Sequence, residues 1–209
     1  MSITHTGAPA GVLAYGMLFK GETGFSSRFV FEDPAASRSP TLAAAHIMID
    51  RPDVPGFSAE TSFATVALLR NAGEEVMEVT PVVSFTSGDD NDGTEIPHSV
   101  RLRTRHLVPQ QVEAINVGEE LKQEGVHGPI NGEGLTLNYT GKAGELVAHL
   151  TSFDQTRNHV FDVPLKDPQV QMNHVAGSYP WNIEGDTQSI IHVRNTTDEK
   201  AHFVIQLDY

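Results

Sequence analysis

Cysteine is absent from the 209-residue chain, which excludes disulfides, thiol nucleophiles and zinc–thiolate sites together. No apolar run approaches the ~18 residues that a membrane-spanning helix requires. Basic residues are scarce: 14 Lys and Arg stand against 27 Asp and Glu, a formal net charge of -13. Such a chain repels nucleic acid and anionic membrane, so neither is expected as a partner. The opening residues, MSITHTGAPAGVLAYGMLFKG, have no basic n-region and no continuous apolar h-region, and so do not read as a signal peptide. Ten histidines are present, yet none forms an HxH or HExxH pair, and no serine sits in a nucleophile elbow. A non-enzymatic protein is the expectation.

What remains is strand and turn. Hydrophobic residues make up 39% of the chain and charged residues 20%, ordinary globular values that argue against wholesale disorder. FATVALLRN (63–71) and EVTPVVSF (78–85) are β-rich runs bounded by Asn-Ala-Gly and by SGDDNDG. SVRLRTRHL (99–107) alternates with a period of two. GLTLNYT, GELVAHLTSF and HVFDVPL add further short strands, and only Asn116–Gly125 reads as a helix, with acidic residues near its start. The fold class is therefore all-β, an antiparallel sandwich. Alternation predicts Val66, Leu68, Val82, Leu102, Ile115, Leu137, Leu146 and Phe161 on its inward faces.

An internal repeat organises these strands. Residues 3–34 lie over 137–168, sharing Thr-Gly, Ala-Gly and a closing Asp-Pro; 45–52 lie over 173–180; and LLRNAGEEVMEVTPVVSF aligns with IHVRNTTDEKAHFVIQLDY at Asn71 and Asn195. The segment 86–134 occurs once. The chain thus divides into an N-terminal half-unit and linker (1–56), one complete sandwich unit (57–168), and a linker with a C-terminal half-unit (169–209). The last pairs with 1–34 of the same or a neighbouring chain into a second, reduced sandwich.

The strand-and-turn patterns LLRNAGEEVMEVTPVVSF, LVPQQVEAINV and GELVAHLTSFDQ, in that order, resemble the small β-sandwich of the bacterial sensory rhodopsin transducer family. The likeness covers about Phe63 to Gln155. Similar units stand in tandem in large exported proteins of soil bacteria. The resemblance implies a sandwich fold, a tendency to oligomerise, binding rather than catalysis, and an extracellular or cell-surface location.

Candidate site residues fall in three places. Asp89, Asp90, Asp92 and Glu95 cluster hard oxygen ligands that suit Ca²⁺, the one cofactor the sequence suggests; a solvated hairpin turn is the stronger reading, because the spacing departs from an EF-hand loop. Arg101, Arg103 and Arg105 place three cations on one strand face, a dock for an acidic neighbour or a carboxylated glycan, or else a guarded sheet edge. Tyr179 and Trp181 form an aromatic patch able to stack on sugar rings or fill an interface, or equally to cap the core between two sandwiches. Two functions follow as expectations: a structural or surface protein that self-assembles by half-unit complementation into a homo-oligomer or head-to-tail polymer, and a carbohydrate- or ligand-binding module.

Overall fold

Gly, Pro and Asn at the turns cut the chain into short strands. In the computed structural model these are β1 (Tyr15–Lys20), β2 (Phe25–Val30), β3 (Thr41–Ala44), β4 (Phe63–Asn71), β5 (Met77–Gly88), β6 (Glu95–Arg101), β7 (Arg105–Leu107), β8 (Val112–Asn116), β9 (Asn131–Tyr139), β10 (Leu146–Asp154) and β11 (Val160–Val163), with an α-helix, α1 (Val117–Gln123), between β8 and β9 and a 3-10 turn at Pro34–Ala36 before β3. The structure describes residues 6, 14–20, 25–30, 33–49, 62–88, 95–127, 130–154, 159–170, 191–197 and 199–205.

The fold is an antiparallel β-sandwich, as the alternation implied. One sheet runs β11-β10-β4-β8 and the other β3-β9-β5-β6, with β7 also paired to β5. Ala67, Leu69, Ile115, Leu146 and Leu150 from the first sheet meet Leu42, Val79, Val83, Leu135 and Leu137 from the second in one core. Each such aliphatic contributes about 1.5–3 kcal/mol by leaving water. Helix α1 starts at Asn116, whose side chain accepts from Glu119 N, and it buries Val117, Gly118 and Leu121. It stands where the sequence placed it.

The expected core is right in part. Leu102, Ile115, Leu137 and Leu146 are buried, Val66 and Val82 are half-buried, and Leu68 and Phe161 are exposed. In β4 the inward residues are Phe63, Thr65, Ala67, Leu69 and Asn71, one step out of phase with the expectation. FATVALLRN is apolar on both parities, and a one-residue shift exchanges the faces. Polar anchors fix the phase. Thr65 and Ser152 share a 2.7 Å hydrogen bond under Met48, and Asn71 lies wholly buried within its turn.

The boundary at residue 57 also moves. Strand β3 pairs with β9, and Ala43 bridges to Lys166; Ile47, Met48 and Ile49 are buried beside it. The sandwich therefore includes chain from before Phe57. Asp167 fixes this addition: its Oδ2 accepts from Arg38 N and Ser39 N at 2.6 and 2.7 Å, and its Oδ1 accepts from Ser39 Oγ at 2.6 Å. The small residues of TLAA gave little strand signal, so the edge was not legible.

The repeat is visible in the backbone. Leu150 pairs with Val163 and Gly16 pairs with Phe29, each displaced by 134 residues, and every pair of the β1–β2 ladder from Gly16 to Phe19 matches a β10–β11 pair under that displacement. The following turns match as well. Asp33 Oδ1 accepts from Ala35 N and Asp167 Oδ1 from Gln169 N, both at 2.9 Å. Strands β1 and β2 form a separate two-stranded sheet, with β2 alongside β11. Among the described residues no strand joins β1 to 191–205.

Candidate functional site

The three sequence-derived clusters fare differently. Asp89, Asp90 and Asp92 lie outside the described residues; Glu95 opens β6 opposite Gly88, so that segment joins two paired strands. Among the described residues no group of three His, Asp or Glu is placed to hold a metal. Tyr179 and Trp181 also lie outside the described residues.

The arginine stripe is not a stripe. Arg101 ends β6 and Arg105 begins β7, with Leu102 buried between them. The cause is Pro81 in the neighbouring strand. Its carbonyl accepts from Leu102 N at 2.9 Å, but it has no N–H to continue the ladder on that edge. The chain leaves the sheet for residues 102–104 and returns with its alternation shifted, so Arg105 points inward. It is 5% exposed and ion-paired to Glu113 at 2.7 Å and to Glu120 at 2.8 Å, joining β7 to β8 and α1. Only Arg101 and Arg103 remain exposed.

The most developed polar arrangement on the outside of the sandwich involves Arg194. Its guanidinium lies across the outer face of β3, β9 and β5. Nη1 donates to Ala44 O at 2.9 Å and to Leu135 O at 3.1 Å; Nη2 donates to Thr136 Oγ1 at 3.1 Å and Ser84 Oγ at 3.2 Å. Burial pushes the guanidinium below the ordinary arginine value, while leaving it charged. Gly134 makes the site possible, since a Cβ there would stand 2.5 Å from Nη1. Two residues earlier, the His192 ring stacks on His46 with centroids 3.6 Å apart and planes 4° from parallel.

Immediately after Arg194 the chain turns as it does after Arg70. Asn71 Nδ2 donates to Glu75 O at 2.7 Å, and its Oδ1 accepts from Gly73 N at 2.8 Å. Asn195 Nδ2 donates to Glu199 O at 2.6 Å, and its Oδ1 accepts from Thr197 N at 3.0 Å. The same asparagine turn is written twice. The Arg-Asn pair was visible in both hairpins, but its neighbours Ser84, Gly134 and Thr136 carry no sequence signal. Three further histidines make local contacts: His98 Nε2 lies 2.7 Å from Ser87 Oγ, His106 Nδ1 lies 3.4 Å from Glu78, and His149 Nε2 lies 2.9 Å from Thr151 Oγ1 and 3.2 Å from Asp162.

No protein-family model and no curated protein matches this chain. A solved structure from Thermotoga maritima, Thermotoga maritima 1070, aligns with 62% of this chain and 96% of its own at 13% identity, with a TM-score of 0.35. A likeness of that degree carries no argument.

Proposed function

We propose that this is a non-enzymatic structural protein of the extracellular or cell-surface kind, which self-assembles by completing split sandwich units. One observation carries the reading. The β1–β2 hairpin repeats the register of the closing β10–β11 hairpin, but the strand that β10 pairs with, β4, has no counterpart paired to β1 among the described residues. A two-stranded ribbon alone is marginal in water. Its missing partner is supplied by the repeat of β4 near Ile191–Asn195. The resemblance to tandem exported units supports the location.

Light scattering and negative-stain microscopy of the purified chain test the proposal. Particles much larger than one chain are expected, and deletion of 189–209 should abolish them; a chain that stays monomeric at high concentration sinks it. A carbohydrate-binding role draws on exposed Arg101 and Arg103, which suit a carboxylated sugar. That reading predicts a small species that binds on a glycan array and does not assemble.

A further inference from the structure

The C-terminal half-unit shows which of its faces awaits a partner. Shifting the inward residues of β4 and β5 by 124, the displacement between Asn71 and Asn195, carries Ala67, Leu69 and Asn71 onto Ile191, Val193 and Asn195, and Met77, Val79 and Pro81 onto Ala201, Phe203 and Ile205. In the complete unit those positions are buried. In the copy Ile191, Val193, Phe203 and Ile205 are 45–57% exposed. The opposite parity is already engaged, because His192 stacks on His46 and Arg194 is bonded over Gly134. Residues 191–195 thus rest on the sandwich through His192 and Arg194 and present Ile191 and Val193 to solvent, while 201–205 is exposed on both parities, with Val204 at 93%.

The missing half is β1. In the complete unit β10 pairs antiparallel with β4, with Leu150 opposite Ala67 and Ala148 opposite Leu69. The two repeat displacements convert these into Gly16 opposite Ile191 and Ala14 opposite Val193. Within one chain the two halves sit against different sheets. The C-terminal segment lies on the outer face of β3, β9 and β5, whereas β2 runs beside β11 at the edge of the other sheet. Joining them within the chain would break the Arg194 contacts or detach the hairpin from β11. Joining them between chains breaks neither.

Resting on the self-assembly reading above, we infer that the occupant is a second copy: β1 of one chain adds antiparallel to 191–195 of the next, in the register Gly16 to Ile191 and Ala14 to Val193, which sets Ile191 and Val193 on the inner face of the completed sheet. The contact is heterologous, since each chain offers β1 at one place and its acceptor at another. It therefore propagates head to tail. The register is held by faces, because a one-residue slip would turn Ile191 and Val193 outward and His192 and Arg194 into the core.

The absence of cysteine makes the test clean. A14C and V193C are introduced singly and together in the full chain and allowed to oxidise under assembly conditions. A mixture of the two single variants should give a disulfide-linked dimer, and the double variant a covalent ladder beyond the dimer. A14C mixed with V204C, whose position is 93% exposed and out of register, should give no comparable product. I191K should disperse the particles without moving the thermal unfolding of the sandwich, which guards against variants that misfold. Particles that persist in I191K, or form without the A14C–V193C link, overturn this register and leave the assembly reading standing. A link made only within a monomer overturns the inter-chain contact. Wild-type chain that never assembles overturns both.

Discussion

Two asparagine turns, Asn71 and Asn195, have the same internal bonds and different surroundings. Asn71 is fully buried and also donates to Leu107 O at 2.9 Å; β4 and β5 run away from it into a ladder on either side. Asn195 is exposed, and no strand is formed in the described residues around it. A turn needs only its own few residues, because an Asx side chain bonds its own backbone. A strand needs neighbours to take its N–H and C=O groups. The turn is thus a property of the local sequence, and the strand a property of what lies beside it.

Substitutions should separate the two copies, the largest effect first. Leu69→Ala removes a fully buried side chain from the core and should cost about 2–5 kcal/mol in chemical denaturation. Val193→Ala, its equivalent in the copy, should leave the unfolding of the dilute monomer unchanged and weaken assembly instead. Equal effects at the two positions would refute the contrast. Arg105→Ala should cost about 3–5 kcal/mol by leaving Glu113 and Glu120 facing each other across a half-desolvated site; a loss below 1 kcal/mol in the same assay would mean that the buried pair is dispensable.

Asn71→Ala strands Gly73 N and the carbonyls of Glu75 and Leu107, so about 2–3 kcal/mol should be lost. Asn195→Ala, in water, should cost a few tenths of a kcal/mol at most. Gly134→Ala is gentler still for the sandwich, because the flexible Arg194 can move away. Its signature should be faster proteolysis at 191–205 with little change in melting; an unaltered cleavage rate would show that Arg194 does not hold the segment.

Asp167 gives the complete unit a pH effect. Burial raises the Asp167 carboxyl, but the Ser39 hydroxyl and the N–H groups of Arg38, Ser39 and Gln169 outweigh it, and the net shift is downward. A lowered folded-state value means that the stabilisation is present above the unfolded value, about 3.9, and is lost as pH falls through the lowered one. Acid should therefore release β3 in wild-type chain, and Asp167→Asn should flatten that part of the stability–pH curve.

Much of this was legible in the sequence. The all-β class, α1 and the repeated Arg-Asn turn follow from turn residues and alternation, and the overlay of 3–34 on 137–168 recurs as a 134-residue displacement between two hairpin registers. The phase of β4 was not legible, because Ala64, Val66 and Leu68 are as apolar as Phe63, Ala67 and Leu69; buried Thr65 and Asn71 decide it. Arg105 was misassigned for a distant reason, since Pro81 on a neighbouring strand breaks the ladder that would have kept the alternation. The Arg194 site combines residues from three strands with a glycine whose lack of a side chain is its contribution, and spacing along the chain does not encode such a meeting.

If split units are completed between chains as proposed, the C-terminal copy is an open face until another chain covers it. Hydrogen exchange over a concentration series, read in 191–205, 15–20 and 77–85, measures this directly. Residues 77–85 should be protected at every concentration, while 191–205 should exchange fast in dilute monomer and gain protection together with 15–20 as particles form. Protection of 191–205 that is already complete in the monomer, or that never rises in the assembled state, would contradict it.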